Sequence, residues 1–296
     1  MRDVFGVTEQ MTEKFILDTD IGADCDDMGA IVLLASLSKK YRKEICGIAC
    51  CVYREYAAAC AQLVVDEYLP RIPVAALPKG EFAQKDNYAE AVVKKFGGKK
   101  QRGIDYYDFY QETLRSAEDQ SLTIIAIGPL YGLGQVYRKN SLDFDRKVKS
   151  VFIMGGYFGE DNAFYEGYGN IHSEWNIGSA INEAKFFIDN VKAELCFCPF
   201  EVGIRFKTGI NLIRKGGPAG YSYWFLEKGE RFSWDPATVS AAFETDPFFR
   251  FSAFGTVHVD SEGFTRFKEG NGKHRIVLPE EKSILSLREY LNELMK

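Results

Sequence analysis

Short apolar runs rich in Ile, Val and Ala recur along this chain, and helical patterns separate most of them. FILD, ICGIACCV, IPVAAL, LTIIAI, VKSVFIM and ELCFC each read as a strand. Residues from about Asp27 to Leu37 read as a helix, because Met28, Ile31, Val32, Leu34 and Ala35 form an apolar stripe; roughly Glu55 to Tyr68 reads as another. Strands alternating with helices imply the α/β class, with a mostly parallel sheet covered on both faces. Such sheets bind ligands in the crevice at the carboxyl ends of their strands. With 296 residues, 46% of them hydrophobic, the chain can bury a sizeable core. No internal repeat or low-complexity linker interrupts the pattern. Residues 1–296 therefore read as a single domain, with residues 1–13 a candidate flexible tail.

Gly155 to Ser173 (GGYFGEDNAFYEGYGNIHS) and Arg214 to Trp224 (RKGGPAGYSYW) carry neither period and read as long loops. On an α/β scaffold such loops serve as lids or binding loops as readily as plain surface. TVHVDSEGFTRF reads as a hairpin turning at Ser261–Gly263, and Ile284, Leu285, Leu287, Leu291 and Leu294 predict a packing helix in the tail. A net charge of −5 argues against general affinity for nucleic acid or an anionic membrane. No run of about 18 apolar residues is present, so no transmembrane span is expected. The opening MRDVFGVTEQMTEK lacks an apolar signal core, which points to the cytoplasm. Seven cysteines at irregular spacing do not read as a secreted disulfide framework. Cys196 and Cys198 alternate along one strand, Cys50 and Cys51 lie in another, and all read as small buried hydrophobes.

The first strand runs into DTDIGADCDD, which holds Asp18, Asp20, Asp24, Asp26 and Asp27. Carboxylates crowded into one strand-to-helix turn repel each other unless a cation or hydrogen bonds compensate. The start of the helix accounts for one or two of them, since Asp is favoured at the cap and in the first turn. A hard divalent cation held through oxygens accounts for the rest, the plainer alternative being an acidic surface loop. An EF-hand would need Gly and Glu where counting from Asp18 finds Ala23 and Gly29. A haloacid-dehalogenase-type phosphatase also begins Asp-x-Asp, but its loop continues with Thr or Val where this chain has Gly22, and DCDD is left unexplained.

DTD-x-G followed by an Asp-Asp pair opening an apolar helix resembles the inosine–uridine nucleoside hydrolase family, in the longer DTDxGxDxDD form of a divergent branch. Four later segments follow in the family's order: IAIGPLYGLG from Ile125, FIMGGYFG from Phe152, SEWNIGSAINEA from Ser173, and SWDPATV around Asp235. FEVG, from Phe200 to Gly203, and VDSEGFTRF are weaker similarities. The resemblance implies a nucleoside-hydrolase fold, an open, mostly parallel, Rossmann-like α/β sheet with helices on both faces. It also implies a homo-oligomer that takes a small nucleoside-like substrate. The activity it implies is calcium-dependent hydrolysis of the N-glycosidic bond of a ribonucleoside or related N-riboside, giving free base and ribose. Residue by residue, Asp20 becomes a calcium ligand and the general base on water, Asp27 a second ligand and Asp235 a third. The backbone carbonyl of Ile127 joins them. Asp26, Glu174 and Asn176 fall on ribose hydroxyls, and Asp18 orients the loop from behind. The set is chemically coherent, because calcium activates its water less than zinc does and needs a carboxylate base beside it. Negative groups around the sugar also stabilise its oxocarbenium-like transition state.

Two positions depart from the family's pattern. Where members carry a ribose-contacting Asn, this chain has CCVYREYAA, with Tyr53 or Arg54 at the matching place. An Arg is unfavourable beside an oxocarbenium centre, so Arg54 either meets an anionic, for example phosphorylated, substrate or points away at the surface. Trp234 stands where some members place a His that protonates the leaving base. Trp cannot titrate there, but it can stack on a purine or serve as a core aromatic. His172 reads either as a substitute acid or as a solvated loop His, while His258 and His274 carry no signal. Tyr157, Phe158, Tyr165 and Tyr168 either close over a base or pack their loop on the body. Two rival functions remain: a phosphatase with its nucleophile at Asp18, and a sugar- or nucleoside-binding protein on the same fold with catalysis impaired at Arg54 and Trp234.

Overall fold

The computed structural model describes residues 13–97, 103–160, 163–171, 173–243 and 247–296. Residues 1–12 of the candidate tail (residues 1–13) and His172 lie outside the described residues, whereas Glu13 is described and pairs with Lys43 at 2.8 Å and Lys149 at 3.0 Å. Each apolar run becomes a strand. FILD lies in β1 (Lys14–Thr19), ICGIACCV supplies β2 (Glu44–Cys50) and IPVAAL supplies β3 (Val74–Ala76). A two-residue β4 (Ile104–Asp105) follows, too short to leave a period in the sequence. LTIIAI supplies β5 (Leu122–Ala126), VKSVFIM is β6 (Val148–Met154) and ELCFC is β7 (Glu194–Cys198). Last come β8 (Phe249–Phe251), β9 (Gly255–Val259), β10 (Thr265–Glu269) and β11 (His274–Pro279).

These form one eleven-stranded sheet in the order β10-β9-β11-β7-β6-β5-β1-β2-β3-β4, with β8 beside β11. Neighbours from β11 to β4 are parallel, and antiparallel pairing is confined to β8, β9, β10 and β11. Alternate residues of β1 serve the two faces. Phe15 and Leu17 pack with Met28, Ile31 and Val64 from the first two helices, whereas Ile16 packs with Tyr106, Leu133 and Phe187 from helices on the other face. Cys196 and Cys198 share the first of these faces with Cys50, and all seven cysteines are free. Strand order reverses at β1, with β2 to β4 on one side and β5 to β7 on the other. The loops after β1 and β5 therefore leave the sheet at its switch point, where open α/β sheets form a ligand crevice.

The first helix runs Asp26–Tyr41 and the second Ala57–Tyr68, close to their predicted bounds. No helix among the described residues is long and apolar enough to cross a membrane. Arg214 to Trp224 is not a loop. Helix Ile210–Lys215 gives way to helix Gly217–Glu227, with Gly216 and Gly217 at φ 83° and 73° turning the chain and Pro218 starting the second helix. Its glycines, which hid the period, are structural: a Cβ on Gly220 would sit 2.1 Å from the Leu212 carbonyl oxygen, so Gly lets the two helices touch. Within Gly155 to Ser173 a two-residue pair, Phe164–Tyr165 with Gly169–Asn170, makes a small hairpin. The later hairpin turns where expected, with Asp260 Oδ1 accepting from the backbone N–H groups of Glu262 and Phe264. The tail helix is Ile284–Leu294; Leu287 and Leu291 are buried, while Leu285 faces solvent.

Candidate active site and metal centre

At the end of β1 the Asp18 carboxylate is buried, and Tyr106 and Tyr110 both donate to its Oδ2 at 2.6 and 2.7 Å. Burial pushes its pKa up to about 7 against those hydrogen bonds. Gly22, at φ 110°, then turns the chain where a side chain would be strained. Asp26 and Asp27 open the first helix, and Asp235 lies in the first turn of helix Trp234–Phe243. Carboxylate oxygens of Asp26, Asp27 and Asp235 come within 4.8 Å of one another, and all three residues are buried. The Asp235 N–H donates to Asp26 Oδ2 at 3.1 Å and the Thr19 hydroxyl donates to Asp27 Oδ1, but Asp27 Oδ2 has no partner. Burial, and then repulsion among the loop's carboxylates, raises the pKa of each member of this trio.

Asp20 stands beside the trio rather than in it. Its carboxylate lies 3.4 Å from Arg54 Nη2, and Arg54 Nη1 donates to its backbone oxygen. Burial raises the Asp20 pKa while the Arg54 charge opposes the rise. Arg54 also donates Nε to the Lys85 carbonyl at 2.8 Å and Nη2 to Gln84 Oε1 at 3.0 Å. It is 6% exposed, so it is not the surface residue left open by the sequence. Nor does it line the cavity that Asp20 faces, because its guanidinium is engaged by the oxygens of neighbouring loops. It lines instead a neighbouring cavity of about 540 Å³, together with Tyr53 and Glu55.

Asp20, Asp26, Asp27 and Asp235 line a cavity of about 460 Å³, within the range of small-molecule sites. Glu174 and Asn176 line it too. Glu174 caps the short helix Trp175–Gly178, accepting from the N–H groups of Asn176, Ile177 and Gly156 at 2.9, 3.1 and 3.1 Å. Burial nonetheless pushes its pKa up to about 7. Asn176 Nδ2 donates to the carbonyls of Met154 and Ile127 at 3.1 and 3.3 Å, leaving Ile127 an acceptor lone pair. Trp234 is both core aromatic and cavity wall: it stacks on Phe200 at 5.5 Å and donates Nε1 to the Phe200 carbonyl at 2.9 Å.

Asp18 is not a lining residue, which leaves no place for a phosphatase nucleophile there. Of the four aromatics from the Gly- and Tyr-rich loop, Tyr168 lines the cavity, whereas Tyr157 is buried and Phe158 packs on Phe197. His258 is exposed; His274 accepts from the Val257 N–H, and burial pushes its pKa down to about 4. Trp175, Met154 and Arg231 line the cavity without having been singled out in the sequence. Trp175 could have been found from its place between Glu174 and Asn176. Arg231 offered only an isolated charge ahead of SWDP.

The chain matches the sequence profile of the inosine-uridine preferring nucleoside hydrolase family over residues 15–266. No curated protein sequence matches it. Among solved structures, a plant nucleoside hydrolase superposes with a TM-score of 0.74 at 19% identity, covering 96% of this chain and 98% of that one. The inosine-uridine preferring nucleoside hydrolase of Bacillus anthracis gives 0.72 at 17%, covering 97% and 99%. The purine-preferring ribonucleoside hydrolase of Gardnerella vaginalis gives 0.70 at 16%, covering 96% and 99%. These likenesses establish the fold, an open and mostly parallel sheet. The profile match takes in the acidic loop, Glu174, Asn176 and Asp235, and the chain belongs to the inosine-uridine preferring nucleoside hydrolase family, glycosidases that act on N-glycosyl bonds.

Proposed function

We propose that this protein hydrolyses the N-glycosidic bond of a ribonucleoside or related N-riboside in a calcium-dependent reaction, releasing free base and ribose. The observation that carries this reading is the meeting of Asp26, Asp27 and Asp235, with Asp20 beside them, in one cavity with Glu174 and Asn176. Nucleoside hydrolases of this family are metal-dependent, and the residues present suit a hard cation. The donors are all oxygens, Asp27 Oδ2 is buried without a partner, and the mutual repulsion of the carboxylates is what a cation relieves. Asp20, Asp27, Asp235 and the Ile127 carbonyl would hold it; an all-oxygen protein cage favours calcium over zinc. When bound, the cation supplies Lewis-acid activation of water and neutralises part of the buried charge.

Asp20 takes the proton of the attacking water, and Arg54 is its positioning residue. Asp26 accepts from one ribose hydroxyl while Glu174 and Asn176 engage others, which fixes the sugar for in-line attack. As the bond to the base breaks, the surrounding carboxylates stabilise the positive charge that builds on the ribose. Trp234 offers a ring face to the base. Asp18, with Tyr106 and Tyr110, anchors the loop from behind. The seven free cysteines support a reducing compartment such as the cytoplasm. Incubation with inosine or uridine and calcium should release the base and reducing sugar, and Asp27→Ala should lose both bound calcium and turnover. Undiminished turnover in Asp27→Ala overturns this reading.

A further inference from the structure

The departing base needs a partner, since the electrons of the broken bond go to its nitrogen. Among the described residues lining the cavity there is no His, Lys or Cys, and the Tyr168 phenol is held up to about 12 by burial. Arg231 is the cation in that lining. Its guanidinium carbon lies 5.3 Å from the Trp234 ring centroid and 5.9 Å from that of Tyr168, on the aromatic side of the cavity. Two anions hold it there. Nε and Nη2 donate to Asp24 Oδ2, the former at 2.8 Å, and Nη1 donates to Glu227 Oε1 at 2.9 Å. Asp24 is itself fixed, because its Oδ1 accepts from the Cys25 N–H at 2.7 Å. A guanidinium carries five N–H donors, so among the described residues these three bonds leave two uncommitted.

We propose that Arg231, clamped by Asp24 and Glu227 against Trp234 and Tyr168, recognises the departing base by donating its uncommitted N–H groups to an acceptor on the base as negative charge builds there. This rests on the N-ribosidase reading of the same cavity. A guanidinium does not give up its proton, so the assistance is hydrogen-bond donation and not proton transfer. The step balances. The C1′–N bond breaks with its electron pair on the base, water oxygen bonds to C1′, and Asp20 receives the water proton. The base, held by Arg231, then takes a proton from solvent as Asp20 returns one.

The test compares inosine with p-nitrophenyl β-ribofuranoside, whose leaving group departs as a stable anion without help. Arg231→Met should lower kcat/KM for inosine roughly tenfold more than for the nitrophenyl riboside. Arg231→Lys, which keeps the charge but not the fork, and Asp24→Asn, which frees the clamp, should show the same pattern more weakly. A residue that merely supports the fold would lower both substrates alike, so equal losses overturn the proposal. An inosine-specific loss in His172→Ala that is absent from the Arg231 variants also overturns it, by assigning the leaving group to His172. If the unaltered enzyme cleaves neither substrate, the N-ribosidase reading itself fails and the proposal with it.

Discussion

The Arg54 guanidinium lies 3.4 Å from the Asp20 carboxylate, with the two side chains only 1% and 8% exposed. The same fork donates to the backbone oxygens of Asp20 and Lys85 and to Gln84, so the loop after β2 locks the loop after β1. On the proposed reading of Asp20 as general base, a cation placed here would support that base from behind rather than oppose the positive charge of the sugar.

Arg54→Met would strand a buried carboxylate and a backbone carbonyl. Loss of one partner of a buried pair costs roughly 3–5 kcal/mol. Denaturant melts should show a loss of that order, and kcat on inosine should fall about 10- to 100-fold. Because the fork is already engaged by protein oxygens, we expect Arg54 not to bind phosphate. Inosine should therefore be a better substrate than its 5′-phosphate, a comparison of kcat/KM that a phosphate-binding Arg54 would reverse.

Gly128 follows Ile127, and a Cβ there would lie 2.8 Å from the Asp20 Cβ and backbone nitrogen and 2.6 Å from Cys51 Sγ. Neither neighbour is the loose end of a flexible side chain. Gly128→Ala should displace Asp20, destabilise the fold by about 1–3 kcal/mol and cut turnover roughly tenfold. A variant with full activity would mean that the position of Asp20 is less critical than the geometry implies.

If the carboxylate cluster holds the proposed cation, protons should compete with it. Glu174 is raised from 4.5 to about 7, and Asp26, Asp27 and Asp235 are raised as well, so the metal-free fold binds more protons than the unfolded chain. Stability contributed by a raised group is full below its unfolded pKa and is lost as pH rises through the folded value. The Tm in chelator should therefore fall between about pH 5 and pH 8, and the gain on adding calcium should be larger at the higher pH. A calcium increment independent of pH would argue against binding at these carboxylates.

Asp27→Asn removes one charge from the cluster while keeping the acceptor for Thr19. The metal-free protein should become more stable, the calcium increment in Tm should vanish, and turnover should drop about 100-fold. Melts with and without calcium, beside the inosine rate, check all three.

Much of this was legible because it rests on local rules. Six runs of β-forming residues became six strands of the sheet, and period-2 alternation put Cys196 and Cys198 on one face. The acidic loop was legible from its charge density, since so many carboxylates in one turn demand compensation. Helix Gly217–Glu227 was not, because glycines that break helices in isolation are kept here to bring two helices together. The surroundings of Arg54 and Arg231 were not legible either. Each is defined by partners distant in sequence, Asp20 for one and Asp24 for the other, and a lone Arg in a sequence does not name its carboxylate.

The most direct measurement follows hypoxanthine release from inosine through removal and return of calcium. Release should stop on chelation and resume with calcium, with hypoxanthine and ribose appearing in equal amounts. Turnover that survives removal of the cation, or a calcium-loaded protein that binds ribose but frees no base from any nucleoside in a panel, would contradict the account.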